Sequence, residues 1–306
     1  MSEPPTAQPG QIVINGRVSE HGLPVWQMPD RVAIEFTEAH CRIVRGRHGC
    51  FLYYPADHFL GRAIETYGEC CELELGIYRH LLGEGAVLIE VGANAGYLTV
   101  PLARMVGAGG RVVAFEPQPA IHCLLCANVA LNGLPRVDCV HAAVGARQGT
   151  IDVPVIDLAQ AGNFGAVSLV DPARGAATAR VPLVRLDDAC GELERLDAIK
   201  IDVEGMELDV LKGAQGLIEG FRPAILPEND RTDCSQALIE HLLALGYRCY
   251  WHVAPLFNPQ NFFGVTTNIY PATGSYNMLC LPEERPQPTD LLQITDPTQH
   301  PLSGRR

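Results

Sequence analysis

The sequence has no apolar run of 18 or more residues, so no membrane-spanning helix is expected. Its first ten residues carry Pro4, Pro5 and Pro9 but neither a basic stretch nor an apolar one, which argues against a secretory signal and for a cytoplasmic chain. Positive charge is scarce. The 23 Lys and Arg face 35 Asp and Glu, a formal net charge of −12, so the average surface repels phosphate backbones and nucleic acid is not an expected partner. A disulfide framework is also missing, because the eleven cysteines are odd in number and scattered over a long chain. Cys123 and Cys126 form a CxxC, but inside a helical pattern. Most cysteines therefore read as small buried hydrophobes and not as redox groups or ligands. There is no internal repeat.

What remains is a globular composition, 47% hydrophobic and 19% charged, in 306 residues. That length buries a large core in one α/β domain with extensions. Proline-rich ends, residues 1–10 and 282–301, read as mobile or loosely docked tails. Residues 31–36 and 50–54 are short β-like runs of a small N-terminal extension. A helix follows, with Cys70, Leu73, Ile77 and Leu81 on one face and Gly83 at its C′ position. From Gly85 onward the pattern alternates. Strands are predicted at residues 86–91, 111–115, 137–141, 198–203 and 223–227. A helix is predicted at 119–132. Another carries Val210, Leu211, Ala214, Leu217 and Ile218 on one face, and a third carries Leu238, Leu242 and Leu245 and closes at Gly246. Residues 247–252 and 276–281 are predicted to pair as a terminal hairpin. This alternation predicts a mostly parallel sheet covered on both faces, which binds ligands at the carboxyl ends of its strands.

The strongest local signal is residues 89–97, at the first strand-to-helix turn. Gly92 and Gly96 permit a tight turn and close approach of a ligand to the backbone. Twenty-four residues past Gly92, Glu116 ends the second strand, where a carboxylate can take both hydroxyls of an adenosine ribose. A dinucleotide fingerprint would need G-x-G-x-x-G, but Asn94 stands at the second glycine position and Glu90 stands two residues before the first. A carboxylate about 5 Å from a pyrophosphate would repel each unit of its charge by roughly 3 kcal/mol at an effective dielectric of about 20. S-adenosylmethionine has no phosphate and carries sulfonium and ammonium cations, so Glu90 favours it. A second cluster lies at residues 199–207. Lys200 and Asp202 share a strand face. Glu207 and Asp209 are expected to complement a helix N-terminus. Asp202 stands where an acceptor would meet the cofactor.

The turn EVGANAGY, the run AFEPQP at 114–119, AVG at 143–145 and IKIDVEGMELDVLKGA at 199–214 resemble the FkbM family of methyltransferases. The resemblance extends to Asp57, Gly61, Arg62, Tyr67, Gly68 and Glu69 upstream and to residues 163–165 and 222–229 downstream, about 48–282 in all. It implies a class I methyltransferase Rossmann-like α/β fold, with a catalytic domain at 63–282, an N-terminal tail and β extension at 1–62, and a proline-rich tail at 283–306. It also implies an S-adenosylmethionine-dependent enzyme that methylates hydroxyl groups of small molecules, sugars or natural products. By that resemblance Glu90, Gly92, Asn94, Gly96 and Tyr97 hold the methionine part of the cofactor, and Glu116 with Pro117 holds the ribose. Tyr67 and Glu69 form a lid, and Asn128 and Ala143 border the adenine. Asp202 is the expected base or acceptor-orienting group, with Lys200 tuning its charge and Glu204 second in line. Hard oxygen ligands also suit Mg²⁺, but two carboxylates two residues apart are commonly just solvated, so no metal site is expected. The expected partner is a small-molecule or peptide acceptor, with self-association open. Rival readings are an N-methyltransferase of a peptide or amide, a nicotinamide oxidoreductase, and a cofactor-binding module without catalysis.

Overall fold

The computed structural model describes residues 41–165, 177–288 and 290–303, together with backbone strands at 12–14, 17–19 and 33–36. The predicted tail at 1–10 and the first two residues of the run at 31–36 lie outside the described residues. Five strands open the chain: β1 (Ile12–Ile14), β2 (Arg17–Ser19), β3 (Ala33–Phe36), β4 (Arg42–Gly46) and β5 (Gly49–Tyr53). They form an antiparallel sheet in the order β2-β1-β3-β4-β5. The N-terminal β extension is thus larger than the sequence suggested.

Next come α1 (Leu60–Tyr67), α2 (Glu72–Leu81), β6 (Val87–Val91), α3 (Thr99–Val106), β7 (Arg111–Phe115), α4 (Pro119–Leu131) and β8 (Val137–Val140). Then follow β9 (Ala143–Val144), β10 (Gly149–Pro154), β11 (Thr178–Val184), α5 (Leu186–Ala189), β12 (Ala198–Ile201), α6 (Glu207–Lys212), α7 (Gln215–Phe221), β13 (Ala224–Pro227) and α8 (Thr232–Ala244). The chain ends with β14 (Tyr247–Pro255), β15 (Gly274–Pro282) and β16 (Leu292–Gln293).

The central sheet has the order β16-β14-β15-β13-β12-β6-β7-β8. From β13 to β8 all neighbours are parallel, while β15 is antiparallel to both β13 and β14. Leaving aside the short edge strand β16, and numbering the seven strands by chain order, the sheet reads 3-2-1-4-5-7-6 with the seventh reversed, the class I methyltransferase arrangement. The predicted hairpin is present, with Tyr250 opposite Leu279. Side-chain alternation splits the core into two layers. Ile89, Val91, Ile199 and Ile201 pack towards α6 and α8, whereas Leu88, Ala198 and Leu226 pack towards α2, α3 and α4. Glu90 and Lys200 share the second face by the same period.

Several local expectations change. On α2 the buried residues are Glu74, Leu75, Ile77 and Tyr78, while Leu73 is 38% exposed, so the apolar face is rotated from the predicted one. A carboxylate points inward there because a charged lysine lies opposite. The helix leaves through an extended Leu82, and the positive φ falls at Gly85, not Gly83. The single helix expected around Val210–Ile218 is two, α6 and α7. Gly213 lies between them, where a Cβ would meet the Gly145 carbonyl oxygen at 2.2 Å. The five predicted apolar residues are nonetheless all buried. The proline-rich C-terminal stretch is docked, not loose: β16 pairs with β14, Ile294 is buried, and His300 Nε2 bonds the Asn229 carbonyl at 2.7 Å. All eleven cysteines are free, but only Cys70, Cys190, Cys249 and Cys280 are fully buried.

Candidate active site

After β6 the chain moves outward through β7 and β8, then returns to build β12 and β13 on the other side. The crevice between such diverging crossovers opens at the carboxyl ends of β6 and β12. Gly92 sits there with φ +81°, and a Cβ on it would lie 1.8 Å from the Asp202 carbonyl oxygen. No other residue type fits. The turn is tied down by Gly92 and Ala93 N–H groups donating to Phe115 O (3.0 and 2.9 Å) and by Asp202 N–H donating to Val91 O (3.0 Å). Asn94, at φ +51°, donates its backbone N–H to Glu116 Oε2 at 2.9 Å.

A cavity of about 270 Å³ lies over this turn. Eight of the predicted site residues line it: Glu90, Gly92, Asn94, Tyr97, Glu116, Lys200, Asp202 and Glu204. Pro117 lines an adjoining cleft that shares Gly92, Glu116 and Asp202. Register explains the convergence. Lys200 pairs with Glu90 across β12 and β6, so a buried ammonium lies beside a buried carboxyl. Lys200 Nζ reaches Asp202 Oδ2 at 3.1 Å, and the Asp202 side chain is 41% exposed. Burial alone would lower the Lys200 pKa, but Asp202, Glu90 and Glu74 outweigh it and hold the ammonium charged.

Glu90 is 0% exposed. Thr99 Oγ1 donates to its Oε2 at 2.7 Å, while Oε1 has no hydrogen-bond partner among the described residues. Burial raises its pKa to about 7, against the pull of Lys200 and Thr99. Glu116 is similar. Burial lifts it to about 7, although Gln118 N–H donates to Oε1 at 2.8 Å and Asn94 N–H to Oε2. Each oxygen keeps a lone pair for a ligand. Glu204, at φ +54°, accepts from Arg231 at 2.9 Å. Glu207 takes the Gly205 N–H at 2.9 Å in the first turn of α6, as predicted for a helix N-terminus.

Five predicted residues do not line the cavity. Gly96 (φ +82°) shapes the turn against Leu125. Asn128 is fully buried and fully engaged: Oδ1 accepts from Leu52 N–H (2.6 Å), and Nδ2 donates to Leu52 O (3.0 Å) and Ala95 O (2.8 Å), stitching α4 to β5. Ala143 belongs to a three-stranded sheet, β10-β11-β9, where it packs on Val153 and Leu183. Neither is among the residues lining the cavity, and each is held by a long-range contact. Tyr67 and Glu69 anchor the loop between β14 and β15 and do not line the cavity themselves. Tyr67 Oη donates to Thr267 O and accepts from Ile269 N–H, and Glu69 binds Arg47, Asn258 Nδ2 and Phe262 N–H. Sequence reasoning missed Glu74, Cys70 and Cys71 on the α2 side, Glu228 and Asp230 after β13, and Thr273 and Ser275 at the start of β15. Glu228 and Asp230 had a usable signal, the carboxyl end of a core strand. The α2 residues had none.

The cavity therefore sets seven carboxyl side chains (Glu74, Glu90, Glu116, Asp202, Glu204, Glu228 and Asp230) against one lysine. The exclusion of pyrophosphate rests on this whole lining and not on Glu90 as a lone exposed anion. An unpartnered buried carboxyl oxygen and a side-chain-free turn fit S-adenosylmethionine: Glu90 would hold its ammonium group and Glu116 its ribose. Among the described residues, no three His, Cys, Asp or Glu side chains are grouped to hold a metal ion. The strand order is that of the class I methyltransferase fold, and its cavity lies where that fold takes its cofactor.

A family model described as Methyltransferase FkbM domain matches residues 90–249, and the chain belongs to that family. It is 28% identical over 159 residues to Methyltransferase sdnD of Sordaria araneosa, covering 41% of this chain and 59% of that protein. It is 30% identical over 191 residues to the AMB antimetabolite synthetase AmbE of Pseudomonas aeruginosa, covering 51% and 9%. The chain thus spans less than two thirds of either relative. Among solved structures, Methyltransferase FkbM from Methylobacillus flagellatus KT overlaps with a TM-score of 0.42 at 18% identity, over 68% of this chain and 50% of that one. The overlaps are partial, and the fold assignment rests on the strand order itself.

Proposed function

We propose that this methyltransferase acts on a hydroxyl oxygen of a small molecule, sugar or natural product, with Asp202 as base. The observation that supports this reading is the placement of Asp202, half-exposed at the end of β12, oriented by Lys200 and sharing one cavity with Glu90 and Glu116. When bound, S-adenosylmethionine supplies an electrophilic methyl group whose leaving sulfur keeps the carbon–sulfur electron pair. Asp202 accepts the hydroxyl proton as the acceptor oxygen bonds the methyl carbon. Lys200 fixes one of the Asp202 oxygens. Gly92 leaves room for close approach, and Glu90 and Glu116 would hold the cofactor in place for the displacement. The antimetabolite-synthetase relative is consistent with a natural-product acceptor. No described helix is long and apolar enough to cross a membrane, and a cytoplasmic location with a diffusible acceptor belongs to the same reading.

Thermal-shift titration tests the cofactor side. S-adenosylhomocysteine should stabilise the protein and NAD should not; stronger stabilisation by NAD would overturn the assignment. Methyl-labelled S-adenosylmethionine offered with hydroxylated and aminated acceptors tests the rest, and label found on nitrogen alone would replace the hydroxyl reading.

A further inference from the structure

β12 and β13 run parallel and in register as far as Ile201 opposite Pro227. The next residue on each strand, Asp202 and Glu228, therefore emerges side by side at the carboxyl edge, and both line the cavity. Glu228 is held there through its backbone, which donates to Ile201 O at 2.7 Å and forms an antiparallel bridge to Asn277 of β15. Lys200 occupies Asp202 Oδ2, and is itself shared with Glu90 and Glu74. The charged groups acting most strongly on Glu228 are all acidic: Asp202, Asp230 and Glu204. Arg231 is engaged by Glu204.

Two neighbouring carboxylates that share one cavity wall cannot both ionise cheaply. We infer that Glu228 is the protonated member of a carboxyl pair and donates its hydrogen to Asp202, so that Glu228 positions the base. Burial first, then the charge and hydrogen bond of Asp202, push the Glu228 carboxyl well above the usual range. The inference rests on the reading of Asp202 as base. With Lys200 on Oδ2 and Glu228 donating to the same carboxylate, Asp202 is held in orientation and keeps lone pairs for an acceptor. The proton taken from the acceptor leaves to solvent through the exposed side of Asp202, and the Glu228 proton is not consumed.

Infrared difference spectra of the full chain test this, recorded at about pH 8.5, where Glu90 and Glu116 are mostly ionised. The wild type minus Glu228→Gln spectrum should show one protonated-carboxyl band. In Asp202→Asn that band should move or be lost, because its acceptor has become an amide and the negative charge that favours protonation of Glu228 is gone. Absence of the band from the first difference spectrum overturns the protonation, and an unmoved band in Asp202→Asn overturns the hydrogen bond. If Glu228→Gln fails to fold, Asp202→Asn carries the test by itself, since Asp202 is half-exposed. Calorimetric titration of the wild type with S-adenosylhomocysteine reports separately on the cofactor reading. Absent binding there would remove the methyltransferase assignment and leave the infrared result standing.

Discussion

Buried polar side chains occur in two regions of this molecule with opposite bookkeeping. Around Asn128 and Glu69 every side-chain oxygen and amide nitrogen has its partner: three bonds for Asn128, and Arg47, Asn258 and Phe262 for Glu69. At the carboxyl edge of the central sheet, Glu90 Oε1 has none, Glu116 accepts a single bond at each oxygen, and Asp202 is half-exposed with one lysine contact. Native proteins satisfy their buried polar groups. A buried group with spare capacity therefore marks a place where a ligand completes the account, and a group with none to spare marks architecture.

The contrast predicts different readouts. The largest effect should come from Asp202→Asn, with turnover falling by about 10²- to 10⁴-fold while calorimetric affinity for S-adenosylhomocysteine changes little. Near-normal single-turnover rates would remove Asp202 from the chemistry. Asn128→Ala should act on stability instead, because it strands the Leu52 amide and two carbonyls; a loss on the order of 3 kcal/mol is expected in denaturant titration. Its affinity for S-adenosylhomocysteine, measured well below the melting transition, should match wild type, and a weakened affinity would return Asn128 to the cofactor site. Glu116→Ala should weaken S-adenosylhomocysteine binding by about 1.5 to 3 kcal/mol, and unchanged affinity would place the ribose contact elsewhere.

The smallest effect is in pH dependence. Glu90 and Glu116 rise on folding from 4.5 to about 7. A raised folded-state value contributes stability that is complete below about 4.5 and lost as pH rises through about 7. The free protein should lose stability from both groups over that window. Affinity for S-adenosylhomocysteine should run the other way, increasing through pH 7 as Glu90 ionises to meet the ammonium group. Glu90→Gln should flatten both curves, and melting curves equally steep in pH for the variant would show that other groups set them.

Much of the central sheet was legible because its signals are local. Continuous apolar runs gave β6, β7, β12 and β13 to within two residues, and the glycines at 92 and 96 gave the turn. Eight cavity residues followed from strand ends, the glycine turn and the family resemblance together. What local signals left open shares one cause. Asn128, Ala143, Tyr67 and Glu69 were placed by motif position, but Leu52, Leu183, Thr267 and Arg47 lie far away in sequence, and these decide what the motif residues do. The α2 face was misread for the same reason: Glu74 points inward towards a lysine 126 residues later.

By itself, the sequence determined the strand and helix periods, the acidic balance and the side-chain-free turn after β6, since each depends on neighbours within a few residues. Tertiary structure alone decided that Lys200 pairs across the sheet with Glu90, that Asp202 emerges beside Glu228, and that α2 and the start of β15 complete the cavity. Those placements depend on strand register and on which crossover packs on which face, and register is set by long-range pairing that no local spacing encodes.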